Sequence, residues 1–244
     1  MFMKKFWVNW KHKTDAEKRA IVGLENARKI LLRNIPKSKL IAVYLKGSFV
    51  RREMNEKSDV DIVPIVSSNR YLQVIKRLQE KHRMEYAPAD FTPISLWELK
   101  HNQKHDPKEM KSSPDVFVKN IQSAQLIYGR PLDTTNYKVR DDTKQLGGLL
   151  NAFHKKIIPK YEDKEFGFSQ IIKCVFYIVD LEQKIKGNHK PYSFKGLARS
   201  VKDNKHIVHD ALKLRLHPTK NKIVRAKFMK KLKEYILEME KLVK

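Results

Sequence analysis

Cysteine is almost missing from this chain of 244 residues: Cys174 is the only one, so no disulfide can close within it. It sits in the apolar run Cys174 to Val179, a place for a buried packing residue rather than a nucleophile. That run is bounded by Lys173 and Asp180, and no stretch approaches the ~20 apolar residues of a membrane-spanning helix. The opening residues MFMKKFWVNWKHK are basic but lack both a sustained apolar core and a small-residue cleavage site. They make a poor secretory signal, and a cytoplasmic location is expected. Acids are scarce too: 27 Asp and Glu stand against 52 Lys and Arg, a formal net charge of +25. An excess of that size points to a polyanionic partner, nucleic acid or a nucleoside triphosphate, although Lys-rich solvated helix faces account for much of it. What is present is an apolar content of 41%, enough for one large folded domain or two small ones.

The stretch YLKGSFVRREMNEKSDVDIVPIV, from Tyr44 to Val66, carries the most chemistry. Leu40 to Leu45 reads as a strand, Gly47 to Met54 as a turn with a short helix, and Ser58 to Val66 as a second strand. On a strand, residues two apart share a face, so Asp59 and Asp61 project together while Val60 and Ile62 pack elsewhere. Two carboxylates side by side need a cation, and Mg²⁺ takes one or two carboxylates with substrate phosphates completing its shell. Gly47 permits a tight backbone beside them, Ser48 opens amides toward phosphate, and Arg51 and Arg52 add positive charge.

Gly47-Ser48, ten residues, then Asp59-Val60-Asp61 resembles the signature of the polymerase-beta-like nucleotidyltransferase superfamily. The text GSFVRREMNEKSDVDIV is most similar to its minimal and aminoglycoside nucleotidyltransferase branches. The resemblance implies an α+β fold: an N-terminal mixed sheet with flanking helices, then a C-terminal helical bundle on the acceptor side. It implies transfer of a nucleoside monophosphate, AMP from ATP, to an acceptor hydroxyl, with Asp59 and Asp61 holding two Mg²⁺ ions, Gly47 and Ser48 cradling phosphates, and Arg51 offsetting triphosphate charge. A third acid on a neighbouring strand would help hold metal and accept the acceptor's proton. Asp90 fits that place better than Glu85, and both stay open. In those branches a Gly often follows the residue matching Arg51, whereas Arg52 stands here. The acceptor stays open between an aminoglycoside-like molecule and RNA. A different class is a toxin-antitoxin module that modifies or cleaves RNA or AMPylates a protein. Arg199 and His206 fit the loose spacing of helical ribonuclease domains that partner minimal nucleotidyltransferases, a spacing that chance supplies easily among nine His and 52 basic residues.

Along the chain, Thr14 to Glu17 reads as a capping box that opens a helix stopped by Pro36, and Ser95 to Glu98 as a second box. Tyr71, Val74, Ile75 and Leu78 mark a helix face. Met84 to Ile94 reads as a third strand, and Pro114 onward as a helix ending near Gly129. His101 to Ser113 reads as a loop, with His101 and His105 spaced for metal but lacking a further ligand nearby. Residues 1–133 form the expected catalytic domain, Thr134 to Arg140 a polar linker, and 141–244 a helical domain. Its expected helices are Asp142 to Lys156, Phe168 to Lys186, Phe194 to Val201, His206 to Leu216 and Ile223 to Val243.

Overall fold

Thr14 opens the first long helix, α1 (Asp15–Asn34), through a complete capping box: its hydroxyl accepts from the Glu17 N–H and the Glu17 carboxylate accepts from the Thr14 N–H. The computed structural model describes residues 5–56, 58–109, 111–188 and 193–243. The chain divides into two compact units, Met1–Arg140 and Asp141–Lys244.

In the first unit, β1 (Leu40–Lys46), α2 (Ser48–Arg51), β2 (Val60–Val66), α3 (Asn69–Tyr86), β3 (Ala89–Phe91), β4 (Ile94–Ser95), α4 (Leu96–His101), α5 (Pro114–Asn120) and β5 (Gln125–Gly129) follow α1. The sheet is mixed, in the order β3-β2-β1-β5, with β4 also paired to β2. β1 lies antiparallel to both β2 and β5, whereas β3 and β4 run parallel to β2. Alternation along the strands feeds two cores. Val43, Leu45, Val60 and Ile62 pack with Leu24 and Leu31 of α1 and Leu72 and Ile75 of α3. Ala42, Tyr44, Val63 and Ile65 pack with Leu99 of α4 and Phe117 and Val118 of α5. With helices against both faces, β2 is buried at every position except Asp61, so a charge there stands out against its surroundings.

Two expectations are corrected. The segment from Met84 is not strand: α3 runs on to Tyr86, which lies about two turns beyond Leu78 on the buried side and meets the Phe91 ring at 4.8 Å. Only Ala89–Phe91 and Ile94–Ser95 then pair with β2. The helix expected to reach Gly129 ends at Asn120, and Gln125–Gly129 pairs with β1 instead. Gly129 has φ +85°, and a Cβ there would lie 2.0 Å from the Ile41 carbonyl oxygen, so only glycine lets this strand close against β1. The polar segment before residue 141 packs on the first unit: Leu132 N–H donates to the Tyr44 hydroxyl, and Arg140 pairs with buried Asp115 at 2.7 Å.

The second unit is helical: α6 (Asp142–Ala152), a π-helical turn over Phe153–Ile157, α7 (Ile158–Glu162), α8 (Phe168–Ile185), α9 (Phe194–Ser200), α10 (Ile207–Leu216) and α11 (Lys222–Leu242). Helix α8 supplies the centre of its core through Ile171, Val175, Phe176, Ile178 and Val179, all fully buried. Cys174 is half-buried against this core, and burial pushes its thiol up to about 11, which suits packing rather than nucleophilic attack. Among the described residues no helix is long and apolar enough to cross a membrane.

Candidate active site

The site grows from the end of β1. Past Lys46 the backbone turns at Gly47, whose φ of +82° and ψ of −154° suit glycine alone. A Cβ there would stand 2.6 Å from Oδ2 of Asp61, so the missing side chain is the space that the carboxylate fills. The following turn closes on itself: Arg51 N–H donates to the Gly47 carbonyl at 3.3 Å and Glu53 N–H to the Ser48 carbonyl at 2.9 Å. Phe49, fully buried, anchors it below, while Ser48 is half-buried.

Register places the acids. Asp61 pairs with Lys46 across the antiparallel β1 and with Asp90 across the parallel β3, and residues in register on parallel strands project to the same side. Asp61 and Asp90 are half-buried, and Asp59, exposed just before β2, follows the same alternation. Gln79 on α3 donates to Asp90 Oδ1 at 3.0 Å and to the Phe91 carbonyl at 2.8 Å, which ties this carboxylate to its strand. Glu85 lies elsewhere. It sits in the last turn of α3, exposed, with His82 Nδ1 at 2.6 Å. Arg51 pairs with half-buried Glu53 at 3.0 Å. The structure therefore brings Gly47, Asp61 and Asp90 together across three strands, with Asp59 next along the chain and Arg51 on the turn.

Among the described residues no group of three or more acids, histidines or cysteines gathers as a ready metal cage. The donor set that does fit a hard cation is the aspartate pair beside Gly47, all oxygen, to which a bound phosphate would add the remaining ligands. Sequence reasoning missed Gln79, because one polar residue in a helix gives no local sign of its partner. It also missed a contact behind the turn. Arg52 takes the left-handed conformation at φ +58°, and its guanidinium makes two 3.1 Å bonds to Glu17. The one available signal was Arg52 standing where related sequences often carry glycine.

The remaining candidates are occupied structurally. His101 stacks on Trp97 at 4.5 Å and His105 faces Asn69 at 3.1 Å. His206 caps α10 by accepting from Val208 N–H through Nδ1, which leaves Nε2 to donate to Glu182 at 3.1 Å. Burial pushes Glu182 up, but hydrogen bonds from His206, Lys186 and Tyr235 outweigh it and hold the carboxyl at about 2. Glu162 pairs with Lys233 and Glu165 with Lys160.

Residues 24–124 match the sequence profile of the nucleotidyltransferase domain. Among solved structures, the fold is similar to spectinomycin adenyltransferase AAD(9) from Enterococcus faecialis, crystallised with ATP and spectinomycin. That likeness has a TM-score of 0.58 at 16% identity and covers 90% of this chain and 98% of that one. A putative nucleotidyltransferase from Sulfolobus solfataricus aligns at 22% identity with a TM-score of 0.28, over 37% of this chain and 82% of that one. No curated protein matches.

Proposed function

We propose that this enzyme, whose N-terminal unit carries a nucleotidyltransferase domain of the polymerase-beta-like kind, transfers AMP from ATP to a hydroxyl of its acceptor and releases pyrophosphate. The observation that supports this best is the meeting of Gly47, Asp61 and Asp90 across three strands. Asp59 and Asp61, with Asp90 beside them, would hold two Mg²⁺ ions. When bound, these ions neutralise triphosphate charge and stabilise the attacking and leaving oxygens of an in-line displacement. The chain's own residues do the rest. Gly47 lets the backbone approach the phosphates, Ser48 offers its amide and hydroxyl, and Arg51 adds positive charge at the turn. The acceptor oxygen bonds to the α-phosphorus as the bond from that phosphorus to the pyrophosphate oxygen breaks, and Asp90 takes the hydroxyl proton. Gln79 engages Oδ1 of Asp90, which directs the proton to Oδ2.

Two acceptors fit. An aminoglycoside-like molecule follows from the fold shared with an enzyme crystallised with spectinomycin. RNA follows from the net charge of +25, which repels a polycationic drug at long range and draws in a polyanion. A toxin-antitoxin role, modifying RNA or AMPylating a protein, belongs with the second. Cleavage by the helical unit draws no support from His206, because both of its ring nitrogens serve the fold. The deciding experiment incubates the protein with Mg²⁺ and each labelled nucleotide, with RNA, aminoglycosides or candidate proteins. Label on the aminoglycoside assigns the small molecule. Label on RNA that falls steeply with salt assigns the polyanion. Absence of transfer from every nucleotide overturns the reading.

A further inference from the structure

The turn that carries Gly47 and Ser48 is held from behind by parts of the chain far from it in sequence. Helix α2 has only four residues, too few to be stable alone, and it ends on Arg52 in a left-handed conformation that an L-residue adopts at a cost. Three contacts compensate. The Phe49 ring sits against Phe6, Trp7 and Trp10 at centroid distances of 5.9, 5.8 and 5.1 Å. The Arg52 guanidinium lies 4.4 Å from the centre of the Trp10 ring and donates to the His12 carbonyl. Its Nε and Nη2 grip both oxygens of Glu17, whose side chain is 3% exposed. Burial pushes Glu17 up, but Arg52 and the Thr14 N–H outweigh it and keep the carboxyl below its usual range. Glu17 is also half of the capping box of α1, so the turn is tied to the start of a helix with 20 residues.

We propose that Glu17, Arg52 and the aromatic segment Phe6 to Trp10 form a clamp that fixes the nucleotide-binding turn, with Glu17 and Arg52 as positioning residues that never touch the substrate. The proposal rests on the nucleotidyl-transfer reading above. It explains why arginine serves here: glycine would relax the backbone, but only a planar five-donor side chain can join a buried carboxylate, an aromatic face and a carbonyl at once.

The test uses the full chain. Replacing Arg52 alone would strand a buried carboxylate, so the informative variant is Glu17→Gln with Arg52→Gly. Gln keeps the capping box and Gly accepts the left-handed backbone. Thermal stability should stay within a few degrees of the parent. Exchange of the hydrogen-bonded amides of Arg51 and Glu53 should rise about tenfold, and Kd for Mg·ATP should rise about tenfold with a smaller change in kcat. Glu17→Gln alone, which keeps Arg52 on Trp10, should give about a threefold change in each. Unchanged amide exchange in a stable double variant overturns the clamp, and faster exchange with unchanged Kd overturns its positioning role. A parent chain that binds no nucleotide overturns the nucleotidyl-transfer reading, while the exchange rates still decide whether the clamp holds the turn.

Discussion

Gly47→Ala separates two physical effects at the centre of the site. The first is backbone strain: φ of +82° with ψ of −154° is a region that only glycine occupies freely, and another residue there costs about 1–3 kcal/mol. The second is overlap. The new Cβ would meet Asp61 Oδ2 at 2.6 Å, against 3.4–4 Å for ordinary contact, and because that oxygen is the end of a side chain that can turn aside, the overlap costs about 1 kcal/mol, the low end for overpacking. Removing the carboxylate with Asp61→Ala abolishes the overlap but leaves the strain. Gly47→Ala should therefore destabilise the N-terminal unit about 1 kcal/mol less in the Asp61→Ala background than in the parent. Urea titrations of the four proteins measure this. Tryptophan fluorescence isolates the relevant unit, since Trp7, Trp10 and Trp97 all precede residue 141. Equal costs in both backgrounds, within about 0.5 kcal/mol, would show that the Asp61 carboxylate does not fill the glycine gap and that Gly47 and Asp61 do not meet as the site requires.

Asp59→Asn and Asp61→Asn should each leave the unfolding midpoint near that of the parent and lower transfer of labelled nucleotide by at least about a hundredfold; full activity in either removes the two-metal assignment. Asp90→Asn should lower kcat far more than it weakens nucleotide binding, measured by turnover against equilibrium Kd, whereas Glu85→Gln, an exposed change on α3, should alter neither. Reversal of that pair transfers the role of base to Glu85. The helical unit should weaken in acid: with Glu182 held down at about 2 from an ordinary 4.5, its contribution is complete above pH 4.5 and is lost as pH falls toward 2, on the order of 3 kcal/mol in all. Denaturation followed by far-ultraviolet circular dichroism should show this slope in the parent and a flatter one in Glu182→Gln, and identical slopes would refute it.

Local chemistry made much of the fold legible. Thr14 with Glu17 and Ser95 with Glu98 announce helix starts because each box is satisfied within four residues, and both form. The apolar stripes of α1, α3, α8 and α11 follow a 3.6-residue period that needs no knowledge of the partner surface. The sequence also announced strands around Gly47 and the D-x-D, because a glycine flanked by apolar runs and acids two apart carry their meaning in one short stretch. It was silent where the meaning lay in pairing. Whether Asp90 or Glu85 stands beside Asp61 depends on where α3 stops, and α3 runs on to Tyr86, whose ring packs against Phe91 on the next strand. Gln125–Gly129 became a strand only because the edge of β1 was open to it. The bond between Glu17 and Arg52 spans 35 residues, and no periodicity connects two charges that far apart. Helix periods and caps are properties of neighbours in the chain, whereas strand register and buried ion pairs are properties of neighbours in space, so the tertiary structure alone decided which acid meets Asp61 and what holds the turn.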